Sequence, residues 1–301
     1  RDINLDKNKK STIFKNDVRV KTLDKEITSQ FAKYNKSTQE IILKTKITAI
    51  DKFENKVETD YAEYNNLKDI LKTVGPTTLT TSENYILKGS DLYFDNLNKK
   101  IRSEKSAILE DLSGNKVYFE NFEYLAENDI FKSIGLIKII DEFENTYEFS
   151  QIYIDTKKKE LLGTDIKAFL NNADFKMNKS NDPRIFANTM TLNNEGSSFN
   201  KSIFTLCEIK EGEKCPPWSL QSTKMRHDNK SKTIFYDNTV IKIYDIPIFY
   251  LPRLSHPDPS VDRRSGLLPP LFSDSRNLGA SVDIPYFWAI GDDKNFTITN
   301  K

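Results

Sequence analysis

Apolar and polar residues alternate along the chain's predicted strands, as half-buried β-strands require. In the stretch EIILKTKITAI, every second residue is apolar or small, and these residues are Ile41, Leu43, Thr45, Ile47 and Ala49. In KIRSEKSAILE, the corresponding apolar residues are Ile101, Ala107 and Leu109. No window of eleven or more residues combines a 3.6-residue period with helix caps, so the pattern predicts an all-β fold.

A repeat of about thirty residues runs through the first half of the chain. Five similar segments place tyrosines 30, 29, 31 and 29 residues apart, at Tyr34, Tyr64, Tyr93, Tyr124 and Tyr153. Between them lie polar turns whose asparagines are 29, 31 and 30 residues apart, at Asn55, Asn84, Asn115 and Asn145. Each unit is therefore strand, turn, strand, turn. Such a unit cannot bury its apolar face alone, so the repeat predicts an elongated antiparallel jelly-roll, which it fits better than a parallel β-helix.

The inward residues of this stack are mainly aliphatic and aromatic, with serine and threonine admixed and few charges. They line either a dry core or a groove for an acyl chain, and the pattern alone favours the core because apolar stripes usually serve packing. The candidate groove residues are Ile41, Leu43, Ile47, Ile101, Ala107 and Leu109.

Six of the eleven prolines lie in YDIPIFYLPRLSHPDPSVDRRSGLLPP, at residues 244–270. Proline fixes φ and donates no ladder hydrogen bond, so this stretch is expected to join neither neighbouring β-structure. We therefore predict a β-domain over residues 1–250, a connector over residues 251–265 and a separate element over residues 266–301.

The alternation changes character beyond Gly266. In GASVDIPYFWAI one face is apolar throughout and ends in aromatic residues: Ala280, Val282, Ile284, Tyr286, Trp288 and Ile290. A strand of this kind is typical of an outer-membrane barrel, and an ordinary edge hairpin is the alternative. Two or three strands cannot close a barrel, so the membrane interpretation predicts that the chain is a fragment of a longer protein.

Composition narrows the function classes. Lys and Arg (45) nearly balance Asp and Glu (44), so no overall charge indicates a nucleic-acid partner. No apolar run reaches about 18 residues, which argues against a transmembrane helix, and the start at Arg1 without a signal peptide is compatible with a mature secreted protein. His227 and His256 are far apart and lack ligand spacing, so we expect no metal site and no cofactor.

Cys207 and Cys215 are the only cysteines. Their spacing is compatible with a mutual disulfide, with bonds to cysteines elsewhere and with free thiols, and it does not decide among them.

Several motifs together resemble the LptD family, the outer-membrane lipopolysaccharide-assembly proteins of Gram-negative bacteria. The motifs are PPWSLQSTKMRHD, IPIFYLPRLSHPDPSVDRRSGLLPP and DIPYFWAI, within about residues 203–301. The thirty-residue units are similar to the OstA-type repeats of the periplasmic bridge proteins of the same transport system. The resemblance implies a periplasmic jelly-roll with an apolar interior for lipid A acyl chains, followed by the opening strands of an outer-membrane barrel.

The same resemblance implies partners and special residues. The partners are lipopolysaccharide, an LptA-type bridge protein at the N-terminal edge, an LptE-type lipoprotein in the barrel, and the outer membrane. Pro269 and Pro285 match family prolines that weaken strand pairing at a lateral gate. Cys207 and Cys215 lie where the family places one end of its long-range disulfides, and their pairing stays open.

Two other function classes fit parts of the sequence. A β-helical carbohydrate-active enzyme needs paired catalytic side chains on one face of adjacent coils, whereas the acidic residues here fall mainly in turns and on polar faces. A repetitive surface adhesin fits the repeats but not the HPDPSVDRRSG segment. With these two classes set aside, the resemblance implies a non-enzymatic transport protein of the outer membrane, with this portion mainly in the periplasm.

Overall fold

A computed structural model describes residues 2–6, 10–22, 24–142, 144–170, 183–205, 217–257, 261, 264–268, 271–275, 279–291 and 293–299. The predicted all-β class is confirmed, because every regular element in these ranges is a β-strand. No helix in the described part is long and apolar enough to cross a membrane.

The strands fall into four groups along the chain. The first group is β1 (Asp2–Asp6), β2 (Ser11–Lys21), β3 (Lys25–Asn35), β4 (Glu40–Asp51) and β5 (Lys56–Asn65). Short strands follow: β6 (Ile70–Thr73), β7 (Pro76–Thr80), β8 (Ile86–Ser90), β9 (Tyr93–Asp95), β10 (Lys100–Ser103), β11 (Ala107–Glu110), β12 (Lys116–Phe119) and β13 (Phe122–Leu125).

The third group consists of long strands again: β14 (Ile130–Ile140), β15 (Thr146–Asp155), β16 (Glu160–Phe169), β17 (Arg184–Asn193), β18 (Gly196–Thr205), β19 (Trp218–Asp228), β20 (Thr233–Ile243) and β21 (Ile246–Pro257). The last group is β22 (Gly266–Leu267), β23 (Leu271–Ser275), β24 (Gly279–Asp283), β25 (Tyr286–Ala289) and β26 (Asn295–Ile298).

Strands β1 to β21 form one antiparallel sheet that is creased along its midline. Each short strand pair, such as β6 and β7, serves as one broken long strand, because both members pair with β5. The long strands bend at irregularities, as between Lys44 and Ile47 in β4, where Thr45 and Lys46 have φ values of 64° and 51°. We call the line of these bends the crease.

The crease divides the sheet into two arms. Arm 1 ends in the turns at residues 36–39, 66–69, 96–99, 126–129 and 156–159, and arm 2 ends in the turns at residues 52–55, 82–85 and 112–115. The arms pack face to face: the ring of Phe119 in arm 2 lies 5.4 Å from those of Phe122 and Phe131 in arm 1. We call the side where the two rows of turns meet, opposite the crease, the mouth. The predicted elongated jelly-roll is confirmed.

The apolar interior repeats at intervals of thirty residues. One inner row of arm 1 contains Tyr34, Tyr64, Phe94, Tyr124 and Ile154, linked through their cross-strand partners. Tyr93 and Tyr153 of the predicted tyrosine series lie on the outer face instead, where Arg102 covers the Tyr93 ring at 4.9 Å. An odd interval of 29 or 31 residues turns a side chain to the other face of a strand.

The arm 2 turns at residues 52–55 and 112–115 are each held by an aspartate and an asparagine four residues later. Asp111 accepts hydrogen bonds from the Asn115 backbone N–H at 2.9 Å and from its Nδ2 at 2.7 Å, and Asp51 with Asn55 repeats this geometry. Asn115 Oδ1 also accepts the N–H of Glu142 in the next turn at 2.9 Å, so successive turns are joined. Asn84 does not occupy the position of Asn55 and Asn115 in its turn, because it is the turn residue with positive φ, 64°.

Replacing Asn115 by alanine is expected to lower the free energy of unfolding by about 1–2 kcal/mol, because two side-chain hydrogen bonds of the turn are lost. Urea denaturation of both proteins measures the difference. Asn84→Gly is the matched control, since glycine keeps the left-handed backbone. An equal loss in both variants would contradict the role of the Asn115 side chain.

The first part of the predicted proline-rich connector belongs to the sheet. Leu251 pairs with Thr239, and Pro257 pairs with Thr233, so residues 251–257 belong to β21 and join the sheet. The expectation that this part of the connector stays outside both β-structures is therefore wrong. Among the described strands β21 pairs with β20 alone, and an edge strand tolerates proline because one of its sides has no ladder to complete. The division into three segments otherwise stays a prediction.

The C-terminal strands form a broken hairpin. β25 pairs with β22 and β26, and β24 pairs with β23, so the single strand predicted over residues 279–290 is interrupted between β24 and β25. Pro285 lies in this interruption and is buried, and its carbonyl accepts the Leu268 N–H at 2.8 Å. The predicted apolar face is exposed, with Trp288 and Ile290 among its residues.

Candidate functional site

The six candidate groove residues lie on the inner surface between the arms. Leu43, Ile47 and Ala107 are buried, and Leu43 has no exposed surface. The other three are half-buried and pack against the same core: Ile41, Ile101 and Leu109. Thr45, which alternation also places inward, is exposed because the bend of β4 begins there. The arms are closed on each other around Leu43, and contact of these residues with a lipid stays a prediction.

The inner surface becomes exposed at the end of the stack. Phe249 in β21 lies opposite Ile241, which itself lies opposite the core-packed Leu220. Phe249 therefore continues an interior row, yet 59% of its surface is exposed. Its strand neighbours Ile248 and Tyr250 are exposed as well. The apolar interior thus reaches the surface at β21.

A row of buried hydroxyl groups follows the crease. It consists of Ser29, Thr59, Thr73, Thr77, Ser103, Ser133, Ser202, Ser222 and Thr239. Bending a strand interrupts the ladder and leaves backbone carbonyls without their usual partners, and a buried carbonyl needs a donor. Ser103 donates to Ser90 O at 2.8 Å, and Ser133 donates to Asn121 O at 2.6 Å. The sequence places serine and threonine among the inward residues, but it does not reveal that these residues lie along the crease.

The mouth carries a charged contact between the arms. Lys25 begins β3 at the tip of arm 2, and Asp69 closes a turn at the tip of arm 1. Lys25 Nζ bonds to Asp69 Oδ1 and lies 5.4 Å from the centre of the Tyr64 ring. Asp69 also accepts the Tyr64 hydroxyl at 3.0 Å and Asn96 Nδ2 at 3.1 Å. We call Lys25, Tyr64 and Asp69 the mouth cluster.

Burial of the mouth cluster affects its tyrosine. Partial burial raises the pKa of Tyr64 well above its ordinary value, and the hydrogen bond to the ionised Asp69 raises it further. Tyr64 therefore stays a neutral donor that holds Asp69 in place. Sequence reasoning missed this cluster, because Lys25 and Asp69 are 44 residues apart and belong to different strand pairs.

Some of the described carboxyl groups have pKa values shifted by their hydrogen-bond partners. Hydrogen bonds from Lys100 and then Lys132 lower the pKa of Glu123, and bonds from Asn98 lower that of Asp95. Every described carboxyl with a shifted pKa is shifted downward. General-acid catalysis near neutral pH requires the opposite shift. In the described ranges, no three His, Cys, Asp or Glu side chains group as metal ligands.

Comparison with known proteins gives a consistent set of relatives. No family model matches the chain. The LPS-assembly protein LptD of Paraburkholderia xenovorans (strain LB400) is 33% identical over 108 residues, which are 36% of this chain and 13% of that protein. LptD of Idiomarina loihiensis is 31% identical over 134 residues, 44% of this chain and 17% of the relative. LptD of Pasteurella multocida (strain Pm70) is 29% identical over 154 residues, which are 51% of this chain and 18% of that relative.

The resemblance to the LptD family is confirmed. The matching part spans less than a fifth of the length of each of these LptD proteins. Of the residues that the LptD resemblance singles out, Pro285 is described and interrupts the C-terminal hairpin. Pro269, Cys207 and Cys215 lie outside the described residues. The gate role of the prolines and the pairing of the cysteines therefore stay predictions.

Proposed function

We propose that this chain takes part in lipopolysaccharide assembly at the outer membrane and that its jelly-roll guides lipid A acyl chains between the two arms. The observation that carries the proposal is the apolar interior, which extends along the stack from β2 and reaches the surface at Phe249. The names of the LptD relatives, which are LPS-assembly proteins, supply the substrate class. No catalytic step is required of the residues in this passage.

Passage requires the arms to separate, because Leu43 and its neighbours are closed off from solvent. Separation at the mouth keeps the backbone of the crease intact. The hydroxyl groups along the crease support such a motion, since a serine or threonine can exchange one carbonyl acceptor for another as the bend angle changes. Acyl chains then replace the contacts that the two arms make with each other.

The test is photo-crosslinking with a reactive residue at Ile47 or Leu109 on the inner surface. After mixing with lipopolysaccharide, these positions should capture it more strongly than Lys44 or Arg102. Those two controls lie on the outer face, against the rings of Tyr61 and Tyr93. Equal capture, or none, at all four positions would remove the assignment of the interior as a lipid path.

The remaining parts of the proposal concern the two ends of the chain. Among the described strands β1 pairs with the arm 1 half of β2 alone, at Ser11–Lys15. We propose this N-terminal edge as the place where an LptA-type bridge protein delivers its cargo. Residues 266–301 would open the outer-membrane barrel that houses an LptE-type lipoprotein. Pro269 and Pro285 would weaken pairing at its lateral gate. The portion before these strands would lie in the periplasm.

A further inference from the structure

Lys25 and Asp69 form an ion pair that joins the tips of the two arms across the mouth. Each of the other described ion pairs joins two residues of the same arm. Examples are Lys52 with Asp24 in arm 2 and Lys100 with Glu123 in arm 1. The Lys25 side chain is 16% exposed and the Asp69 side chain is 30% exposed, so the pair is accessible from the mouth. Any molecule that enters between the arms at this level has to separate the two residues.

An amphiphile that enters the sandwich leaves its headgroup at the mouth. Under the proposed function its chains occupy the apolar interior once the arms separate, whereas the crease on the opposite side is closed by continuous backbone. The headgroup therefore meets Lys25, whose ammonium is a point charge suited to phosphate. The Tyr64 ring, 5.4 Å from Nζ, helps to fix the position of this cation.

We propose that the mouth cluster is a latch and that a headgroup phosphate opens it by taking the place of Asp69 on Lys25. This inference rests on the proposed function, because it assigns a recognition residue to the same passage. The exchange gives Lys25 a new anionic partner, a phosphate oxygen, and Asp69 still accepts hydrogen bonds from the Tyr64 hydroxyl and the Asn96 amide. An amphiphile without a phosphate has to break the ion pair without replacing it.

The proposal predicts opposite effects for the two charged residues. Lys25→Gln should weaken the binding of dodecyl phosphate about fivefold, the size expected for one partly exposed charge pair. Asp69→Asn should strengthen it, because Lys25 loses its competing anion. Titration calorimetry with dodecyl phosphate below its micelle concentration measures both variants in the full chain, with dodecyl maltoside as the uncharged probe.

Lys52→Gln is the matched control, since Lys52 also lies in an arm 2 turn but pairs with Asp24 of the same arm. Its affinity for dodecyl phosphate should equal that of the unchanged protein. Hydrogen exchange of residues 22–28 and 64–72 provides the second readout. Dodecyl phosphate should speed exchange there in the unchanged protein, and Asp69→Asn should show faster exchange without any ligand.

Equal affinities for dodecyl phosphate in the unchanged protein and Lys25→Gln would overturn the latch, as would an equal response to dodecyl maltoside. These outcomes do not depend on lipopolysaccharide. If the latch responds as expected but Ile47 and Leu109 capture no lipopolysaccharide, the proposed function fails while the phosphate site stands. If capture occurs and the latch does not respond, the passage stands without this recognition residue.

Discussion

Replacing Leu43 by alanine is expected to lower the free energy of unfolding by about 2–5 kcal/mol, the usual cost of removing a large side chain from a closed core. Leu43 has no exposed surface and lies between Ala32 and Ala62 on neighbouring strands. Small residues on both sides leave little that can move into the space. Urea denaturation followed by far-ultraviolet circular dichroism measures the change.

Leu162→Ala is the matched control for this substitution. Leu162 lies on the outer face of arm 1 and keeps 44% of its surface exposed, so its loss should cost about 0.5 kcal/mol or less. If Leu43→Ala lowered the free energy of unfolding by as little as Leu162→Ala, the arms would be apart in solution and Leu43 would line an open groove. The measurement therefore separates a closed interior from an open one.

Replacing Gly163 by alanine is expected to cost about 1–3 kcal/mol, the typical price of overpacking a filled core. Gly163 lies in arm 1, and a Cβ there would come within 2.4 Å of Phe149 Cδ1 in arm 2. Phe149 is itself buried, so its ring cannot turn away without displacing core residues. The substitution pushes the two arms apart, and thermal unfolding should occur at a lower temperature.

Gly266→Ala serves as the control, because a Cβ at Gly266 meets no atom within 4 Å. In the double variant Gly163→Ala with Phe149→Leu, the smaller leucine leaves room for the added Cβ. The double variant should therefore lose less stability than the sum of the two single variants, since contacting residues couple in double-mutant cycles. If Gly163→Ala were as stable as the unchanged protein, the close contact between the arms at Phe149 would be excluded.

The repeated part of the fold could be predicted from the sequence because its signals are local. Alternation identified the strands and their inner faces, and the thirty-residue recurrence identified the stack. The tyrosines mark the length of the repeat but not its inner face. Phe94 and Ile154, and not Tyr93 and Tyr153, hold the inner positions, because burial selects for apolar bulk and not for one residue type.

The departures from the predicted pattern occur where a strand bends or ends. Thr45 obeys alternation in the sequence but lies on the outside, since two successive residues with positive φ reset the register. The chemistry of proline predicts an interruption of pairing in residues 251–257, whereas the edge position of β21 accommodates proline. Edge or centre is a property of the assembled sheet, so single-residue chemistry does not reveal it.

The contacts between the arms are the part that the sequence does not predict. Lys25 and Asp69 meet, as do Gly163 and Phe149, only because the sheet folds along the crease. A two-residue period specifies which face a side chain occupies, but it carries no information about which residue faces it from the other arm. The mouth cluster therefore becomes visible only in three dimensions.

The joined turns of arm 2 also bear on how such a protein can change in evolution. A duplication or deletion of thirty residues preserves the inner row and brings the same kind of turn against its neighbour, whereas a change of 29 or 31 turns the side chains of the inner row outward. Each unit adds two strands, and strands lie about 4.8 Å apart, so the stack lengthens in steps of about 10 Å. The reach of the protein is thus adjustable in discrete increments, without redesign of its interior.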